Sequence, residues 1–146
     1  MSMPPLVIKQ KFKLSKRELF DAWSKPEIMK RWFFATEEES ASCRVDNQFI
    51  TNGHYNLVMH FKQGEVQIHG QYLEINRYNF ICFTWNSPTA QNTKVELKFR
   101  SLSSNRSELT LTHYLLPEQS SVDQHHTGWL ICFNNLNKLE PAIIND

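Results

Sequence analysis

The sequence predicts an α+β fold in which a curved antiparallel sheet wraps around one long C-terminal helix. Three observations carry this. Apolar residues recur with a period of two through most of residues 40–115. Ahead of them stand one strand signal and two short helix signals. After Pro117 a single amphipathic stretch of about five turns follows, and it alone is long enough to cover the sheet. A sheet that must bury its inner face under one helix has to curve around it, and a groove opens where it curves away.

The first strand is expected from Leu6 to Leu14, with Leu6, Ile8, Phe12 and Leu14 on one face. Ser15 and Glu18 form an S-x-x-E capping box for the helix that follows, with Leu14 and Leu19 at the staple positions. Pro26 interrupts that helix and suits the first turn of a second, Glu27 to Phe33, which has Ile28, Met29 and Trp32 to bury. The period then changes. Ala41, Cys43 and Val45 alternate with polar residues, and Asn52-Gly53 predicts a hairpin turn. Tyr55, Leu57, Met59 and Phe61 form the next inward face. Lys62-Gln63-Gly64-Glu65 turns the chain, and Val66, Ile68, Gly70 and Tyr72 follow. Leu73 and Ile75 break the phase, which predicts a bulge near Gly70.

Further strands are Phe80 to Trp85, Thr93 to Phe99 and Glu108 to Leu115, with gaps short enough for antiparallel neighbours. Ser121 and Gln124 offer a cap for the last helix. Its stripe is Trp129, Cys132, Phe133, Leu136 and Leu139. Gly128 costs about 1 kcal/mol against alanine inside a helix, and close approach to the sheet is the expected reason for it.

At 146 residues one domain, 1–146, is expected. The chain is 40% hydrophobic and 21% charged, with a formal charge of +1. Such a balance offers no concentrated basic surface for nucleic acid. The apolar runs, such as Phe80-Ile81-Cys82-Phe83, fall short of the roughly 20 residues of a membrane-spanning helix. Met1 to Gln10 lacks the pattern of a secretory signal. Cys43, Cys82 and Cys132 are odd in number and far apart, neither a disulfide framework nor a metal motif. A cytoplasmic protein, monomeric or weakly dimeric, is the expectation.

Several stretches resemble the START-like, helix-grip superfamily, and within it proteins similar to the C-terminal domain of the activator of the heat-shock-protein-ninety ATPase. Gly70-Gln71-Tyr72-Leu73-Glu74-Ile75 with Ile81-Cys82-Phe83-Thr84-Trp85 is similar to one strand pair of that family. Ser107-Glu108-Leu109-Thr110-Leu111-Thr112-His113 resembles a later strand. His125-His126-Thr127-Gly128-Trp129 resembles the opening of its last helix, and Phe20 to Trp32 its entry. The family's double glycine is here Asn52-Gly53, and the acidic residue before proline is Lys25. The resemblance implies an apolar cavity between sheet and last helix, and a chaperone as a partner. The eukaryotic activator carries a further domain with no counterpart in this sequence.

Zinc needs three or four converging ligands. By strand parity His54, His60 and His69 point away from the core, leaving His113 and one of His125 and His126. No metal or other cofactor is therefore expected. His113 has two readings: hydrogen-bonded to a backbone carbonyl or tyrosine in the core, or the polar group that orients a ligand. The acidic run Glu37-Glu38-Glu39 reads as a solvated loop. No nucleophile–base–acid pattern, phosphate loop or carboxylate pair is visible, so catalysis is not expected.

The functional expectation is a binding module for a small apolar or amphipathic molecule, lipid-like or aromatic. Trp129, Phe133 and Leu136 would form the helix wall. Tyr55, Leu57, Met59, Ile68, Phe83 and Leu97 would form the sheet wall, with Trp32 and Trp85 beside them and His113 as orienting group. The alternatives are a chaperone-associated, stress-response interaction protein and a cavity enzyme.

Overall fold

The computed structural model describes residues 3–33 and 42–145. Its elements run β1 (Leu6–Phe12), α1 (Lys16–Ala22), α2 (Pro26–Met29), β2 (Ser42–Asn47), β3 (His54–Phe61), β4 (Gly64–Asn76), β5 (Phe80–Ser87), β6 (Ala90–Ser103), β7 (Arg106–Tyr114), α3 (Gln119–Leu136) and α4 (Pro141–Asn145). The seven strands form one sheet in the order β1-β7-β6-β5-β4-β3-β2, every pair antiparallel. β1 and β2 therefore lie at opposite edges, joined by the segment that holds α1 and α2. This is an α+β, helix-grip fold.

The period-two pattern becomes one continuous inner face. Ile8 pairs with Leu111, Leu111 with Leu97, Leu97 with Ile81, and Leu57 with Ile68. All are buried. Such burial is worth about 25 cal/mol per Å² of apolar surface.

Ser15 caps α1 as its sequence predicts. Its Oγ accepts from the Glu18 amide at 3.1 Å, and the Glu18 carboxylate accepts from the Ser15 amide at 2.8 Å. β1 ends at Phe12, two residues early, because Leu14 turns into the core ahead of the cap. α2 stops at Met29 rather than Phe33; Trp32 follows in a turn, its indole donating to the Ala22 carbonyl at 3.1 Å.

One turn and one cap expectation give way to longer-range contacts, and the expected bulge lies a few residues further on. Asn52-Gly53 ends a six-residue loop, 48–53, not a two-residue hairpin; Asn52 takes the left-handed conformation at φ 70°, and its amide donates to the Tyr72 carbonyl. The bulge expected near Gly70 is present between Tyr72 and Glu74, so Leu73 is the extra residue and is turned outward. Glu118, not Ser121, is the N-cap of α3. Ser121 lies within the helix and donates to the Thr89 carbonyl at 3.2 Å, tying α3 to the β5–β6 turn. Leu139 lies beyond α3 and packs half-buried on the core. Glu37, Glu38, Glu39, Ser40 and Ala41 lie outside the described residues.

Candidate functional site: a cavity beside the last helix

The aromatic stripe of α3 decides where the helix rests. Phe133 meets Phe12 of β1 edge-on at 5.9 Å between ring centroids, and Trp129 reaches His113 of β7. Trp23, between α1 and α2, completes the packing, 4.7 Å from Trp32, 5.9 Å from Trp129 and 6.3 Å from Phe133. These contacts seat α3 toward the β1–β7 side. The β3–β4 side is left uncovered by it, and a cavity of about 630 Å³ lies there.

Apolar side chains make most of the cavity wall. Met59 and Phe61 of β3, Val66 and Ile68 of β4 and Trp85 of β5 form the sheet side, with Phe33 beside them. Gly128, Trp129 and Cys132 form the helix side. Gly128, expected to allow close approach to the sheet, lies where the helix borders the cavity. The polar edge comes from Ser87 and Thr89 around Pro88, and from Asp123, Gln124, His125 and Thr127 on α3. Asp123, Gln124 and Thr127 are exposed, so the cavity opens to solvent there.

A hydrogen-bonded pair of histidines underlies that edge. An indole N–H only donates, so the 3.2 Å bond from Trp129 Nε1 makes His113 Nδ1 an acceptor. The proton of the neutral ring then sits on Nε2 and is donated to Thr93 Oγ1 at 2.9 Å. The Thr93 hydroxyl in turn donates to the Trp85 carbonyl at 2.8 Å. His125 holds the opposite tautomer. Trp85 Nε1 donates to its Nε2 at 3.2 Å, and its Nδ1–H donates to the Ser121 carbonyl at 2.8 Å. The two rings lie 5.1 Å apart.

Both imidazoles are held neutral. Burial, and secondarily the neighbouring His125, pushes the pKa of His113 down to about 3. Burial also lowers that of His125, against the opposing pull of the Ser121 carbonyl. Ser87 Oγ stands 3.1 Å from His125 Nε2, the spacing of a nucleophile and its base. Yet the Trp85 indole donates to the same lone pair, and burial weakens the ring as a base. The arrangement ties α3 to β5 more than it activates the serine.

Of the residues predicted to wall the groove, Met59, Ile68, Trp85 and Trp129 border the cavity. Tyr55, Leu57, Phe83 and Leu97 lie deeper, around a void of about 10 Å³, room for one water at most. Trp32, Phe133 and Leu136 are packed in the core. His113 is fully buried behind Trp85 and Trp129, and its partners are a threonine and an indole rather than a carbonyl or tyrosine. His125, not His113, is the histidine at the cavity edge. His54 and His69 are exposed, and His60 sits 3.1 Å from Glu65. Among the described residues no three His, Cys, Asp or Glu are grouped to hold a metal ion.

Sequence reading passed over Phe33, Ser87, Thr89, Asp123 and His125 as cavity residues. His125 carried one signal: it lies four residues before Trp129, on the buried stripe of the helix.

A family model described as Activator of Hsp90 ATPase homolog 1-like protein matches residues 13–140. None of the curated proteins matches the chain. Among solved structures, a protein from Chromobacterium violaceum superposes with a TM-score of 0.80 at 17% identity, over 92% of this chain and 96% of that one. One from Rhodobacter sphaeroides gives 0.78 at 15% identity, over 94% and 95%. An HSP90 activator from Plasmodium falciparum gives 0.68 at 20% identity, over 86% of each chain. At such identities these structures carry the fold alone. No helix among the described residues is long and apolar enough to cross a membrane.

Proposed function

Taking as premise that the chain belongs to the family of Activator of Hsp90 ATPase homolog 1-like proteins, we propose that it is a non-catalytic binding module for a small apolar or amphipathic molecule. The observation that carries this reading is the cavity of about 630 Å³ with its wall of Phe33, Met59, Val66, Ile68, Trp85 and Trp129. Its size is within the range of roughly 300–1,000 Å³ occupied by drug-sized ligands. The cavity opens to solvent, and a ligand that covers its apolar wall gains by displacing water from it. Aromatic walls favour a flat or lipid-like body.

The test is native mass spectrometry of the purified protein, with solvent extraction of whatever travels with it. A reproducible bound molecule supports the reading and gives its class. A protein that emerges empty and also leaves the emission of Trp85 and Trp129 unchanged on titration with N-phenyl-1-naphthylamine would sink it.

A second reading rests on the family match and on the fold shared with the Plasmodium falciparum HSP90 activator. In it the chain associates with a chaperone through its surface. Purified Hsp90 supplies the check. Stimulation of its ATPase by this chain supports the association, and an unchanged rate with no co-sedimentation rejects it.

A further inference from the structure

The charges and hydrogen-bonding groups around the cavity select among amphipathic ligands. Resting on the binding-module reading above, we infer that the site takes an amphiphile with a hydrogen-bond-donating, cationic head, an alkyl or aryl amine, and discriminates against carboxylates.

Three observations lead there. Asp123 is the only charged side chain among the described residues that line the cavity, and it stands exposed at the opening. No lysine or arginine lines it among those residues. An anionic head would therefore meet a like charge with no cation in the described wall to offset it. Second, the buried donors along the His125 edge are already engaged. His125 Nδ1–H is committed to the Ser121 carbonyl, the Ser87 hydroxyl points its proton at His125 Nε2, and Trp85 Nε1–H does the same. The Gln124 amide and the Thr89 and Thr127 hydroxyls serve either kind of head, so the acceptors at Ser87 and Asp123 tip the balance. The Ser87 oxygen keeps its lone pairs. The Asp123 carboxylate, bonded by Gln119 Nε2 at 2.8 Å, has room for about three more donors.

The third observation is the layout. Asp123, Gln124 and Thr127 occupy the opening, while Met59, Val66 and Ile68 lie on the opposite, sheet side. An apolar tail against β3 and β4 leaves its head beside Asp123, still partly in water. A charge so placed need not be fully desolvated, which would otherwise prohibit any ionic ligand. The attraction is correspondingly moderate, because solvent and salt screen an exposed carboxylate.

The experiment is displacement of N-phenyl-1-naphthylamine from the whole chain by decylamine, decanol and decanoate, each below its micelle concentration and at low salt. Decylamine is expected to compete about tenfold better than decanoate, with decanol between them. Asp123→Asn is expected to close the gap between amine and carboxylate while leaving decanol unchanged, and Asp123→Lys to reverse the order. Decanoate binding as tightly as decylamine, or a gap that survives Asp123→Asn, overturns the head-group assignment and leaves the binding module standing. If the dye itself fails to bind, both fall together.

Discussion

The indole N–H of Trp129 donates to Nδ1 of His113 at 3.2 Å, joining the last helix to the inner face of the sheet through a ring that must stay neutral. The bond works only while Nδ1 keeps its lone pair. With a folded pKa near 3 against 6.5 for the free side chain, the unfolded chain binds the extra proton between those values. Stability should therefore be full above about pH 6.5 and fall as pH drops toward 3. By pH 5 the loss assigned to His113 is about 2 kcal/mol. Urea melts at pH 7 and pH 5 measure it. His113→Gln should lower stability at pH 7 and flatten the pH dependence; an unaltered slope would place the titration elsewhere. His125 shifts in the same direction, so part of the slope should remain.

Gly70 lies just before the bulge of β4 and has a task of its own. Its register partner is Tyr55, whose hydroxyl crosses β4 to donate to the Thr84 carbonyl on β5. A Cβ on residue 70 would lie 2.0 Å from that carbonyl oxygen and 2.7 Å from the Tyr55 hydroxyl. Gly70→Ala should thus cost about 1–3 kcal/mol through overpacking, seen as a lower urea midpoint with an unchanged m value. Adding Tyr55→Phe removes one of the two clashes, so the double variant should be more stable than the sum of singles. Strict additivity would rule out the coupling.

What was legible in the sequence was what local periodicity controls. Leu6, Ile8, Leu57, Ile68, Leu97 and Leu111 face inward because strand parity admits no other arrangement once one face is buried. Ser15 was legible because both halves of its box lie within one turn. Ser121 misled for the opposite reason: its hydroxyl is used by the Thr89 carbonyl, 32 residues away, and nothing local announces that. The cavity was half legible. Pattern identifies which side chains point inward, but where α3 rests depends on Phe133 against Phe12 and Trp129 against His113. Those contacts put Leu57, Phe83 and Leu97 under packed core and left Val66, Ser87 and His125 at the cavity.

At Ser15 the expectation is simple. Ser15→Ala removes the oxygen that accepts the Glu18 amide and should cost about 1 kcal/mol. Ser15→Thr and Ser15→Asp keep an acceptor and should recover most of it. Chemical denaturation of the three variants decides the matter. No loss in Ser15→Ala would mean that the cap contributes nothing and that packing of Leu14 and Leu19 alone holds α1 in place.

Cavity and core can be separated by two substitutions of opposite kind. Phe133 is fully buried and lies in ring contact with Phe12, Trp23 and Trp129, so Phe133→Ala should cost about 3–5 kcal/mol. A loss of binding in that variant would say little, since the whole seating of α3 is at stake. Val66 is half-buried on the cavity wall. Val66→Phe adds an aromatic ring to a strand position, where it is well tolerated, and projects it into free space. Stability should stay within about 1 kcal/mol of the parent, while affinity for N-phenyl-1-naphthylamine should fall at least tenfold. Isothermal titration beside a urea melt reads both quantities on one sample. A dye that binds Val66→Phe as well as the parent must occupy some other surface, and the cavity would lose its claim as the binding site.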